Sequence, residues 1–156
     1  MAVTAHLRSF MNDHDVRFEP IPHERTFEMA RAAQAVHVSG KNVAKGVMCK
    51  TDDDYVLAVM PSSRKLDLDR LGRLLGAKVT LASEMEAARH FPDCEIGAIP
   101  ALGAAYGVDT VFDDDMLGSD DVFFEGGDHQ TLVAVDAADW RRLIGEARHG
   151  RFSTPA

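Results

Sequence analysis

The chain has 156 residues, of which 46% are hydrophobic and 27% charged. This is the size and balance of one folded domain, and it excludes a disordered acidic chain, a collagen-like repeat and a coiled-coil rod. The net charge of −8 opposes a general affinity for DNA or other polyanions, and residues 1–50 carry seven basic against five acidic side chains, so the chain is either an ordinary acidic protein with no polyanion partner or one whose anionic ligand enters from that third. Two cysteines, Cys49 and Cys94, are too few for a disulfide framework. The longest strongly apolar run, residues 56–60, is far short of the roughly 20 residues of a membrane helix. Residues 1–12 lack the continuous apolar stretch of a signal peptide. The expectation is one cytoplasmic domain over residues 1–156, without a membrane partner.

In chain order, Thr4 is placed to cap a helix whose apolar positions Leu7, Phe10 and Met11 follow helical spacing. Residues 16–21 read as a short strand ended by Pro20 and Pro22. Thr26 is expected to cap a second helix running to about Val36. Residues 43–51 and 55–60 are β-rich runs separated by Asp52-Asp53-Asp54, the pattern of a hairpin. Asp67 should cap a helix carrying Leu68, Leu71, Leu74 and Leu75, with Gly76 just past its end. After a short strand at 78–81, Ser83 and Glu86 form a capping-box signature for a helix to about His90. Residues 92–106 read as a loop, and 108–112, 122–125 and 131–135 as strands. Asp136 caps a last helix to about Ala147. Strands fall in adjacent pairs rather than in strict alternation with helices. The expected fold class is therefore α+β, a single domain with a mixed, mostly antiparallel sheet flanked by helices.

No dinucleotide fingerprint, phosphate-binding P-loop or nucleophile elbow occurs in the chain. Neither cysteine lies in a C-x-x-C pair, and the histidines never fall four apart. The acidic runs 52–54 and 113–115 sit in expected turns without the spacing of a calcium loop. No metal and no cofactor are expected.

Three places do not fit a plain core. Lys45 shares a strand face with Val43, Val47 and Cys49 and interrupts its apolar pattern. It is either a cleft lysine awaiting a phosphate or carboxylate, or a solvated or internally paired edge residue. The loop Gly97-Ala98-Ile99-Pro100-Ala101-Leu102-Gly103 is either a backbone cradle for an oxyanion or an ordinary connection. His129 follows Gly126-Gly127-Asp128 and is either a pocket residue or a turn residue at the surface. A thiol activity at Cys94 is disfavoured by its neighbours Asp93 and Glu95, which raise a thiol pKa.

Taken in order, Val43-Ala44-Lys45-Gly46-Val47, Tyr55-Val56-Leu57-Ala58-Val59-Met60-Pro61, Phe91-Pro92-Asp93-Cys94-Glu95-Ile96-Gly97-Ala98-Ile99-Pro100 and Gly127-Asp128-His129 resemble the YbaK/ProX family. These are free-standing aminoacyl-tRNA deacylases, similar to the editing domain inserted in bacterial prolyl-tRNA synthetases. The similarity runs from about Phe18 to Leu143. It implies a single α+β domain and trans-editing hydrolysis of the ester of a mischarged aminoacyl-tRNA, of the kind tRNA-Pro bearing Ala, Cys, Ser or Thr. By the same resemblance, Lys45 is the functional lysine contacting the tRNA 3′ end. Gly97 and Pro100 match the glycine and proline of the G-x-x-P loop, which with Ala98 and Ile99 would hold the ester carbonyl and position water. His129 falls at a pocket histidine that sets the size of amino acid admitted. Lys41 and Arg31 are candidate cations for the aminoacylated CCA end, and a prolyl-tRNA synthetase is a candidate partner. One alanine-specific branch has an asparagine after the lysine, where this chain has Gly46. The alternative on the same fold is a non-catalytic module that binds tRNA or a synthetase.

Overall fold

The computed structural model describes residues 3–156. Among them the chain forms five α-helices: α1 (Ala5–Asp13), α2 (Met29–Ala35), α3 (Leu68–Leu75), α4 (Glu84–His90) and α5 (Ala137–Ile144). Ten strands accompany them: β1 (Glu19–Pro22), β2 (Val43–Lys50), β3 (Tyr55–Pro61), β4 (Arg64–Leu66), β5 (Thr80–Leu81), β6 (Thr110–Asp113), β7 (Val122–Glu125), β8 (Thr131–Val135), β9 (Arg148–Gly150) and β10 (Ser153–Pro155). The main sheet runs β1-β8-β7-β2-β3-β6-β9, with β5 beside β2, and β4 pairs with β10 apart from it. The pairs β1–β8, β7–β8, β2–β3 and β2–β5 are antiparallel, whereas β2–β7, β3–β6 and β6–β9 are parallel. The fold is the expected α+β domain with a mixed sheet flanked by helices.

Alternation along the central strands divides the core in two. Leu57 and Val59 of β3 face a cluster with Leu7 and Met11 of α1, Ala87 of α4 and Trp140 of α5. Val56, Ala58 and Met60 face the opposite way, against Leu71 of α3 and Phe152. A strand buried on both faces reads as a continuous apolar run, which is why 56–60 has that composition. Local signals hold where capping chemistry defines them. The side chains of Thr4, Asp67, Ser83 and Asp136 each accept a backbone N–H of the helix they precede, and Gly76 ends α3 in the left-handed conformation.

Several boundaries move, β5 to Thr80, β6 to Thr110 and the end of α5 to Ile144 among them, and two have a clear local cause. β1 starts at Glu19 rather than Val16 and contains both prolines, because it is the edge strand beside β8 and can forgo donors on its outer side. α2 starts at Met29 with Glu28 as its N-cap, since the Thr26 hydroxyl accepts the Glu28 N–H outside the helix. The sequence pattern also passes over β4, β9 and β10. Each is three residues long and polar or mixed, too short to show a period.

The sheet has an interruption that matters for function. β7 registers with β2 at Val43 and Ala44, and β5 registers with the same edge of β2 at Cys49 and Lys50. Residues 45–48 lie between the two partners, and the segments after α4 and after β7 converge there.

Candidate active site

Lys45 lies at the start of this gap, on the face of β2 shared with Val47 and Cys49. Its half-buried Nζ donates to the Arg64 carbonyl at 2.9 Å, and it forms no ion pair among the described residues. Burial lowers its pKa below the ordinary lysine value. A cation held there without a counter-charge is a receptor for an anion, which would offset the desolvation.

The loop after α4 is pinned from both sides. The Glu95 N–H donates to the Gly127 carbonyl and the Ala98 N–H to the Glu95 carbonyl, each at 2.9 Å. Ala98 and Pro100 are buried and anchor the loop in the core. Gly97 adopts φ +82°, and a Cβ there would sit 3.5 Å from Glu84 Oε1 and from His129 Cε1. Those are ordinary contacts, so it is the backbone conformation that favours glycine. The N–H groups of Gly97 and Ile99 carry no hydrogen bond among the described residues. They are unpaired donors of the loop on residues that line the cavity described below, whereas that of Ala98 is taken by Glu95.

The turn after β7 supplies the opposite wall. Gly127 has φ +120° and His129 φ +62°. Their N–H groups and that of Asp128 converge on Oε2 of Glu125 at 2.8, 3.3 and 3.2 Å for Gly127, His129 and Asp128 respectively. Burial raises the pKa of Glu125, and the three N–H groups and nearby His129 oppose that rise. His129 is buried, and its Nε2 donates to the Ile96 carbonyl at 2.8 Å. Its ring packs on Phe27, with centroids 4.5 Å apart. Phe27 comes from the segment after β1, held along β8 by the His23 N–H to the Gln130 carbonyl (2.8 Å) and the Thr26 N–H to the His129 carbonyl (3.0 Å). Arg25 pairs with Glu95 and stands 5.3 Å from the centre of the Phe27 ring.

These groups enclose a cavity of about 50 Å³ lined by Lys45, Gly46, Gly97, Ile99, Glu125, His129, Phe27 and their neighbours Thr26, Met29 and Ala44. The chain thus brings together Lys45, Gly97, Ile99 and His129. Four other candidates stand elsewhere. Ala98 and Pro100 are buried behind the loop and do not line the cavity. Lys41 lines a separate cavity of about 490 Å³ with Arg64 and Asp115. Arg31 is exposed on α2 and pairs with Glu28 at 3.4 Å. A cavity of about 550 Å³ beside Phe112 and Leu143 contains none of the candidates. Two lining residues escaped the sequence reading. Glu125 was legible only as the acid ending the strand 122–125, and Phe27 only as an apolar residue at the start of the helix expected after Thr26. Phe27 is in fact 72% exposed.

The family model of the aminoacyl-tRNA editing domain matches residues 23–143. The chain belongs to the aminoacyl-tRNA editing domain family. Membership carries a role in aminoacyl-tRNA editing and translation fidelity, and the match falls within the span from which the resemblance was read. Three solved structures share the fold. A hypothetical protein superposes with a TM-score of 0.83 at 18% identity, over 96% of this chain and 99% of that one. A structure described as a candidate trans-editing enzyme for prolyl tRNA synthetase gives 0.79 at 22% identity, over 96% and 95%. A candidate signal transduction protein from Marinobacter aquaeolei gives 0.77 at 19% identity, covering 97% of this chain but 31% of that longer one. Among curated proteins none matches significantly.

A thiol chemistry at Cys94 finds no support in the geometry. Burial, chiefly, pushes the thiol up to about 12, and its Sγ lies 3.4 Å from the Tyr106 hydroxyl. A thiol so placed stays protonated near neutral pH. Among the described residues no helix is long and apolar enough to cross a membrane.

Proposed function

We propose that this protein is a free-standing deacylase, a single domain over residues 1–156, that hydrolyses mischarged aminoacyl-tRNA in trans in the cytoplasm. Its substrate is tRNA-Pro bearing a small amino acid such as Ala, Cys, Ser or Thr. The observation that carries this reading is that Lys45, Gly97, Ile99 and His129 line one small cavity, with the Gly97 and Ile99 N–H groups left without a partner among the described residues. Lys45 draws the phosphate backbone of the CCA end, where one or two local cations suffice despite the acidic surface. The ester carbonyl lies against the Gly97 and Ile99 N–H groups, which stabilise the oxyanion as water attacks. An aminoacyl ester is already activated, so positioning of water, assisted by the neighbouring ribose hydroxyl, supplies the rest without a dedicated nucleophile. A cavity of about 50 Å³ holds one or two waters and admits a small side chain while refusing a larger one. That is the discrimination a synthetase pocket cannot achieve alone, since one methylene is worth only about 1–3 kcal/mol. A prolyl-tRNA synthetase is the partner such an editor would serve.

The test is release of amino acid from Ala-, Cys-, Ser-, Thr- and Pro-tRNA-Pro at low salt. Selective loss of one or two mischarged species is expected. Binding of these tRNAs without release of any amino acid would instead favour the non-catalytic module.

A further inference from the structure

We propose that Glu125 holds the α-ammonium group of the aminoacyl ester, so that the site reads a free amino terminus as well as a small side chain. This rests on the deacylase reading above. Glu125 is 5% exposed and lines the cavity with Lys45, Gly97 and His129. All three of its hydrogen bonds fall on one oxygen, Oε2. The other oxygen, Oε1, has no hydrogen-bond partner among the described residues. It is not sealed in protein either, since His23 Nε2 is the single side-chain atom among them that is both buried and unpartnered. Oε1 therefore opens on the cavity.

A buried carboxylate with half its acceptors unused is costly unless a cation arrives. Among the described residues none is supplied directly. Arg25 pairs with Glu95, Lys45 with a backbone carbonyl, and His129 directs Nε2 to Ile96. The substrate brings one. An α-amino group titrates at about 7.7–8.0, and it lies next to the ester carbonyl that the same cavity would hold at Gly97 and Ile99. The fixed Oε2 cradle keeps the carboxylate from turning away, so Oε1 is presented without reorganisation. An ester whose amine is acylated, as in peptidyl-tRNA, has no cation for this position and is left intact.

Three esters of one tRNA test this: alanyl, N-acetylalanyl and lactyl, the last with hydroxyl in place of the ammonium group. Each rate is divided by its spontaneous hydrolysis. The wild type should favour the alanyl ester by about 10- to 100-fold. Glu125→Gln, which keeps an acceptor for the three N–H groups, should slow the alanyl ester by that factor and leave the lactyl ester unchanged. Equal slowing of both esters would show a merely structural role and overturn the proposal, as would no slowing of either. The acetyl comparison needs no variant, and equal wild-type rates on the alanyl and N-acetylalanyl esters would overturn it even where Glu125→Gln fails to fold. Wild type inert on all three esters defeats the deacylase reading itself, and this proposal with it.

Discussion

His129 donates from Nε2 to the carbonyl of Ile96, the residue immediately before Gly97, at 2.8 Å. Together with the Glu95 N–H to the Gly127 carbonyl, this bond ties the turn after β7 to the loop after α4. Because the carbonyl accepts, Nε2 carries the proton, and in the neutral ring Nδ1 is the acceptor. The positive φ of His129 makes the residue itself hard to replace.

His129→Asn is expected to keep the turn, since asparagine tolerates φ +62° and retains a short polar side chain. His129→Val should cost at least about 1–2 kcal/mol more, because a branched Cβ resists that conformation. Both variants lose the Phe27 contact and should widen the pocket, raising hydrolysis of Pro-tRNA-Pro relative to the mischarged species. Thermal melts and relative kcat/KM values on the two classes of substrate check these outcomes.

Gly97→Ala places a methyl 3.5 Å from His129 Cε1 on a backbone at φ +82°. Strain of about 1–2 kcal/mol is expected, lowering Tm by a few degrees for a domain of this size. The larger effect is on the chemistry. A displaced loop misaims its two free N–H groups, and kcat should fall by about 100-fold. Stopped-time deacylation beside a melt separates the two effects, and a wild-type kcat would show that the loop backbone takes no part.

Lys45→Met should abolish deacylation without lowering Tm. Burial holds the folded-state pKa of Lys45 below its ordinary value of 10.5, so the charged form is the costly one in the folded protein. That cost is present below the folded-state pKa and is relieved as pH rises through it towards 10.5. Methionine fills similar volume without charge. In the wild type, the lysine-dependent part of tRNA binding should fade at lower pH than for an ordinary lysine, measured as the difference in affinity between wild type and Lys45→Met across pH 7–10.

Glu86 gives a second pH signature, distant from catalysis. Its carboxyl is held down at about 2 by the ammonium of Lys50, then by the Ser83 N–H and the Tyr55 hydroxyl. This stabilisation is present above the ordinary value of 4.5 and is lost as pH falls through the interval down to about 2. Glu86→Gln should therefore melt lower than wild type at pH 7, with the gap closing as pH falls through that interval. A constant gap would mean the capping box, rather than the charge, carries the effect.

How much was legible in advance follows the range of each interaction. Helix caps at Thr4, Asp67, Ser83 and Asp136 are decided within three residues, and each formed as read. The hairpin β2–β3 is equally local. β1 and β10 depend on partners over 80 residues away, as in Glu19 with Ala134 and Ser153 with Leu66, and local pattern does not encode those pairings. At the site, Lys45 broke a strand face visibly, while Gly97 and His129 gained weight through resemblance to a family. Glu125 was hidden because an acid before Gly126-Gly127 looks like any solvated turn. Its meaning appears only when the positive φ values of Gly127 and His129 fold three N–H groups onto one oxygen.

If the cavity at Lys45 and Gly97 hydrolyses the ester of mischarged tRNA, turnover must depend on the lysine. The most direct measurement is release of alanine over time from Ala-tRNA-Pro at low salt, with wild type and Lys45→Ala side by side. Wild type should release alanine well above the spontaneous rate, and a folded Lys45→Ala only at the spontaneous rate. Equal release by the two proteins, or none by wild type across the small amino acids, would contradict the assignment of hydrolysis to this cavity.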